Sequence, residues 1–199
     1  MIEFEVKAIL SASEYLFLKT KRFHMGNVVL QRNYYYDTAD LELNRNKITC
    51  RIREKNGNYT ATIKDHQSHG CNIETSRPAE SSTDASFFDG MGISCQGELV
   101  TLRTTCTTYD GFSVALDENQ YLGKIDYEIE YEFDPDRQAE LAKEIFELSQ
   151  DLEYHKIIKS AEEFRHRFIN ETSKSQRFFQ RKKELQSLSN EIASLLRDT

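Results

Sequence analysis

From residue 1 to 10 apolar and polar positions alternate one for one: Ile2, Phe4, Val6 and Ala8 on one side, Glu3, Glu5 and Lys7 on the other. A period of two puts these sets on opposite faces of a β-strand. Residues 27–37, 47–54, 59–65, 71–76, 99–108, 112–117 and 124–133 also read as strands, which makes eight in all. Asn56-Gly57-Asn58 marks a tight hairpin between the third and fourth, and Asp110-Gly111 and the stretch around Gly123 mark later turns. Ser11 or Ser13 caps a short helix running to about residue 22, and Asp84 caps another over 84–91. After Asp136 the period changes to three and four: AELAKEIFELSQ, SAEEFRHRFINE and then 178–196 all carry helical spacing. Strands in meandering order followed by helices predict an antiparallel α+β architecture.

The polar faces of these strands are unusual. Asp126, Glu128, Glu130 and Glu132 alternate with Tyr127, Ile129, Tyr131 and Phe133, so four carboxylates share one strand face. Arg51 and Arg53 share another, Thr60, Thr62 and Lys64 a third, and Thr101, Arg103 and Thr105 a fourth. A solvated sheet face is the ordinary explanation for polar alternation. It does not explain a row of mutually repelling carboxylates, or the segregation of acids and guanidinium groups onto different strands. Strands closing into a barrel with these faces inward would form a cavity lined by both signs. Carboxylates would hold a hard divalent cation there, and Arg and Lys a polyanion. Such a cavity suits a metal-bound oligophosphate.

Composition narrows the choice. The chain has 199 residues, 26 basic against 33 acidic, and a net charge of -7, so broad electrostatic binding to nucleic acid is not expected. No apolar run is long enough to span a membrane and MIEFEVK is no signal-peptide core; Cys50, Cys71, Cys95 and Cys106 then read as reduced thiols of a cytoplasmic protein. No GxxxxGK[ST] loop occurs. His24, His66, His69, His155 and His166 have no ligand spacing and read as surface residues. Tyr34, Tyr35 and Tyr36 read as outward core packing, with stacking on a substrate ring as the alternative. Lys174, Arg177, Arg181, Lys182 and Lys183 read as a solvated helix face. Phe178, Leu185, Leu188, Ile192 and Leu195 form an apolar stripe that either the barrel or the same helix of a second chain would cover; the expectation leans to a homodimer.

Several stretches resemble the CYTH proteins, or triphosphate tunnel metalloenzymes. Glu3-Phe4-Glu5-Val6-Lys7 is similar to that family's ExExK signature, and residues 31–38, QRNYYYDT, to its QxNxYxDT stretch. Cys50-Arg51-Ile52-Arg53 resembles its LRIR strand, and Thr62-Ile63-Lys64 its TLK strand. Leu116-Asp117, Tyr121-Leu122-Gly123 and Glu128-Ile129-Glu130 resemble the LD, LG and ExE elements, and Lys159-Ser160 with Arg167-Phe168 the terminal KS…RF segment. Elements in the family's order from residue 2 to about 168 look closest to short bacterial members without a CHAD domain. The resemblance implies an eight-stranded antiparallel closed β-barrel, a tunnel with helices packed outside. It also implies a domain over 1–170; residues 171–199 lie beyond the last family element and read as a C-terminal amphipathic helical extension, dispensable for chemistry but not for assembly or solubility.

Members include triphosphatases of several kinds and class IV adenylate cyclases. The expected activity is divalent-metal-dependent hydrolysis of a linear triphosphate: tripolyphosphate, thiamine triphosphate or a nucleoside triphosphate. A class IV-type adenylate cyclase and a non-catalytic polyphosphate- or nucleotide-binding protein are the alternatives. The implied metal ligands for Mg²⁺ or Mn²⁺ are Glu3, Glu5, Glu128, Glu130 and Asp117. The implied phosphate ligands are Lys7, Arg51, Arg53, Lys64, Arg103 and Lys159. Lys7, Glu5 and Glu130 are the candidate catalytic groups, with Lys7 as a candidate base. Glu74 is a further candidate for positioning metal or water. The plain alternative for all of them is mutual salt-bridging across strands.

Overall fold

The computed structural model describes residues 2–67, 71–169 and 172–197. Eight antiparallel strands close into a barrel in the order β1-β5-β4-β3-β2-β6-β7-β8. They are β1 (Ile2–Leu10), β2 (Asn27–Asp37), β3 (Ile48–Lys55), β4 (Asn58–His66), β5 (Cys71–Ala79), β6 (Ser94–Thr107), β7 (Ser113–Tyr121) and β8 (Lys124–Glu132). Closure leaves no free sheet edge, and the pleat sends alternate residues into the lumen. Glu3, Glu5 and Lys7 therefore point the same way as Glu128, Glu130 and Glu132 of the neighbouring strand, with Lys7 in register with Glu130.

The helices are α1 (Ala12–Phe17), continuing as a π-helical turn over Leu18–Arg22, α2 (Glu42–Arg45), α3 (Gln138–Tyr154), α4 (Ala161–Arg167) and α5 (Lys174–Leu195). Ser11 starts α1 with a full capping box to Glu14. The expected helix over 84–91 is only a 3₁₀ turn, Ala85–Phe88, on the Asp84 cap. Outside the barrel, Leu18, Leu141, Leu148, Leu152 and Phe164 pack on the outward faces of β1, β7 and β8, including Ala8, Leu116, Ile129 and Tyr131, to form the main core.

The helix α5 departs from the outside-only arrangement. Phe178 and Phe179 are buried against Tyr35, Leu41, Leu99 and Tyr121, of which Tyr35, Leu99 and Tyr121 point into the lumen. The first turns of α5 thus cork one end of the barrel. β6 is built to admit them: Gly97 has φ +144°, and a Cβ there would lie 2.8 Å from Phe178 Cζ. Of the tyrosine trio, Tyr36 packs outward on Phe88 with 5.3 Å between ring centroids, while Tyr35 faces in toward Phe178 at 5.1 Å. Beyond the barrel, Leu188, Ile192 and Leu195 are exposed. Among the described residues no helix is long and apolar enough to cross a membrane, and the four cysteines are free.

Candidate functional site

Where α5 does not fill the lumen, a cavity of about 110 Å³ remains. Its carboxylates come mainly from one side and its cations mainly from the other, with Glu74 of β5 beside Arg51. Glu3, Glu5, Glu130 and Glu132 come from β1 and β8, and Arg51, Arg53 and Lys64 from β3 and β4, with Lys7 and Arg103 bridging toward the acids. Lys7 Nζ lies 2.7 Å from Glu5 Oε1 and 3.1 Å from Glu130 Oε2. Lys64 Nζ lies 3.3 Å from both Glu3 and Glu5. Arg103 forks onto Asp117 at 2.9 and 2.7 Å and reaches Glu130 at 3.0 Å.

The cationic wall is less satisfied. Arg53 donates from Nε to Asn33 Oδ1 at 2.8 Å and has no carboxylate within ion-pair distance among the described residues. Burial, with Arg51 and Arg103 beside it, pulls its guanidinium down to about 9, still charged at neutral pH. Arg51 reaches Glu74 only at 3.8 Å, and among the described residues its buried Nε has no hydrogen-bond partner. Unpaired donors in a closed space cost free energy unless an acceptor arrives. An anion with several oxygens meets that need.

Lys159 is not part of this arrangement. It lies exposed just before α4 and lines no wall of the cavity. Asp117 and Glu128 point into the lumen but are fully buried and do not line the cavity, because α5 covers them. Lys174 Nζ sits 2.9 Å from Asp117 Oδ2 and 3.3 Å from Glu130 Oε2, and it also pairs with Glu128. Arg177 pairs with Asp126 at 3.0 Å and with Glu128 at 2.5 Å. Burial pushes the Glu128 carboxyl up, but Lys174, Arg177 and Lys7 outweigh it and hold it near 2. Burial likewise works against the Lys7 ammonium, and Glu130, Glu5 and Glu128 overcome it, leaving Lys7 a firmly held cation.

Lys174 and Arg177 are the partners of the lumen carboxylates that strand-by-strand reading misses. Their spacing within a basic run matches a solvated helix face, and only the docking of α5 reveals that they face carboxylates. His66 departs from its surface reading as well: it lines the cavity, and burial with Lys64 nearby brings its imidazole down to about 4. His69 lies outside the described residues, whereas His24, His155 and His166 are exposed.

The donors present suit a hard divalent cation in kind, since the acidic wall is all carboxylate oxygen. Among the described residues, however, no three His, Cys, Asp or Glu side chains converge closely enough to hold a metal ion. The ammonium and guanidinium groups of Lys7, Lys64, Arg103 and Lys174 stand between the carboxylates instead.

Comparison with known proteins places this geometry. The CYTH domain family model matches residues 1–162. The chain is 32% identical over 148 residues to YjbK of Bacillus subtilis (strain 168), a protein named as a candidate triphosphatase; the match spans 66% of this chain and 77% of YjbK. A crystal structure of a candidate adenylate cyclase from Bacillus halodurans is similar at TM-score 0.67 and 26% identity, covering 89% of this chain and 97% of that one. The Hippeastrum protein HpAC1, reported with a dominant triphosphatase activity, shares the fold at TM-score 0.57 and 22% identity, over 73% of this chain and 86% of that one.

Proposed function

We propose, from the premise that the chain belongs to the CYTH domain family, that its tunnel is the active site of a divalent-metal-dependent triphosphatase acting on a linear triphosphate. The observation that carries this reading is the under-satisfied cationic wall: among the described residues Arg53 has no carboxylate within ion-pair distance and the buried Arg51 Nε has no hydrogen-bond partner, in the same cavity as Glu3, Glu5 and Glu130. Arg51, Arg53, Lys64 and Lys7 hold the phosphate chain, the guanidinium groups by forked donation and the lysines as compact charges. Arg103, tied to Asp117 and Glu130, keeps the acidic wall oriented.

Metal dependence is general among CYTH triphosphatases; the ion proposed here is Mg²⁺ or Mn²⁺, and Glu3, Glu5 and Glu130 of the cavity wall would hold it in place of the Lys7 and Lys64 ammonium groups that stand between them. Such an ion would supply neutralisation of phosphate charge and activation of water. Phosphoryl transfer needs alignment and charge neutralisation more than covalent chemistry. Lys7 contributes as a cation rather than as a base, because its carboxylate neighbours keep it protonated. Glu5 and Glu130 orient the attacking water. Asp117 and Glu128 act through Lys174 and Arg177, which bring the head of α5 to the cavity.

Apart from the rings of Tyr35 and His66 the wall is charged or hydroxylic; it offers no apolar slot for adenine, which weighs against a cyclase. The partner is then a small-molecule triphosphate in the cytoplasm, and a second copy of the chain is the proposed cover for Leu188, Ile192 and Leu195. A panel of tripolyphosphate, ATP, thiamine triphosphate and pyrophosphate, assayed with Mg²⁺ or Mn²⁺ for released phosphate and for cyclic AMP, tests the reading. Binding of tripolyphosphate without turnover of any compound would leave the protein a phosphate-binding module.

A further inference from the structure

The first turn of α5 is tied to the barrel wall by a continuous chain of hydrogen bonds. Ser173 Oγ and Ser175 Oγ lie 2.9 Å apart, and Ser175 Oγ lies 2.7 Å from Thr49 Oγ1 on β3. Thr49 Oγ1 is 2.9 Å from His66 Nε2 on β4, and His66 Nδ1 is 2.8 Å from Asn72 Oδ1 on β5. One assignment uses every proton once. His66 donates from Nδ1 to Asn72, which leaves Nε2 as an acceptor for the Thr49 hydroxyl. Thr49 Oγ1 then accepts from Ser175, and Ser175 from Ser173, whose own oxygen accepts the Gln176 backbone N–H as the helix cap. The direction requires a neutral imidazole, and burial beside Lys64 supplies one.

Lys174 stands between the two serines on this chain. A lysine side chain has several rotatable bonds, and holding its ammonium on Asp117 and Glu130 requires the backbone beneath it to be fixed. The aromatic anchors Phe178 and Phe179 lie a full turn further on. We propose that Thr49 and His66 are positioning residues that act through Ser175 to hold Lys174 in the tunnel, where its ammonium is part of the triphosphate site. The proposal deepens the functional reading above and rests on it for its kinetic consequence. Its structural consequence stands apart from any activity.

The test uses the full chain with Thr49→Val, Thr49→Ser and Ser175→Ala, each alone and combined with Lys174→Met. Ser175→Ala breaks the same bond from the helix side, where alanine is well tolerated, and covers the case in which Thr49→Val does not fold. Amide hydrogen exchange without substrate should show protection of residues 174–182 falling about tenfold or more in Thr49→Val and Ser175→Ala, as expected for loss of a buried hydrogen bond, with barrel strands unchanged. KM for tripolyphosphate should rise about tenfold with kcat within about twofold. Thr49→Ser should behave as wild type in both measurements. In the Lys174→Met background the same changes should leave KM where Lys174→Met alone puts it. Wild-type exchange in α5, or an equal further rise in KM without Lys174, would overturn the proposal; the second result would make Thr49 a direct substrate contact. If no triphosphate is turned over, the functional reading falls, and the exchange measurement alone decides whether the relay holds α5.

Discussion

Lys174→Met removes one charge while nearly keeping the side chain's length and shape, so it isolates what the ammonium contributes. Three buried carboxylates lose a partner: Asp117, Glu128 and Glu130. Glu128 shows the scale. Its carboxyl is held near 2 instead of 4.5 against the cost of burial by Lys174, Arg177 and Lys7 together, Lys174 first among them, and the whole depression corresponds to about 3 kcal/mol of folding stability at neutral pH. Removing one member of a buried ion pair commonly costs about 3–5 kcal/mol, which sets the scale of the loss. Arg177 and Lys7 remain beside Glu128, which keeps the expected loss near 3 kcal/mol, or roughly 6–12 °C in Tm for a chain of this size. The pH dependence has a definite sign. A carboxylate with a depressed folded-state pKa contributes stability above its unfolded value, and that contribution is lost as pH falls from 4.5 through about 2. The difference in Tm between wild type and variant should therefore be full at pH 7 and shrink below about pH 4.5. The assay is thermal unfolding by circular dichroism across pH 3–8, with tripolyphosphate KM measured beside it; KM should rise roughly 10–100-fold. A variant with wild-type Tm at pH 7 and wild-type KM would show that the ammonium is solvated in solution and that α5 does not cork the barrel.

Arg53→Ala should raise KM for triphosphate by roughly tenfold or more, with no repair by excess metal and little loss of stability, since its guanidinium has no carboxylate to strand; steady-state kinetics at two metal concentrations check this. Glu130→Gln should instead lose kcat, with partial recovery at high Mn²⁺, as expected if a metal ligand is weakened; the same phosphate-release assay reads it. Removing divalent metal with EDTA should abolish turnover and added Mg²⁺ or Mn²⁺ should restore it, whereas full activity in metal-stripped protein would sink the mechanism. Gly97→Ala should destabilise by about 1–3 kcal/mol and loosen α5, because its Cβ would meet Phe178 at 2.8 Å from a positive-φ backbone; thermal unfolding and exchange of α5 amides measure both.

Much of this protein is legible in its residues alone. Strand β1, with Glu3, Glu5 and Lys7 on one face, and strand β8, with its four carboxylates, carry a period that admits one pleated reading. Their charge pointed to inward faces, because a row of carboxylates on an open sheet repels itself with nothing to balance it. The cationic strands followed by the same logic, and Arg51, Arg53 and Lys64 do line the opposite wall. What alternation cannot encode is which remote element enters the lumen. Lys174 and Arg177 lie more than forty residues along the chain from Glu128 and carry only helical spacing, which is the same for a solvated face and for a docked one. His66 is similar: a single imidazole at a strand end looks like a surface residue until Thr49 and Asn72 close around it. Lys159 illustrates the converse, a residue placed by resemblance of motif that the turn before α4 leaves in solvent. Local periodicity determined the strands, their faces and the sign of each wall, since those depend on neighbours one and two residues away. The tertiary structure decided the cork, the relay and the burial of Asp117 and Glu128, since those depend on packing Phe178 and Phe179 against Tyr35, Leu99 and Tyr121.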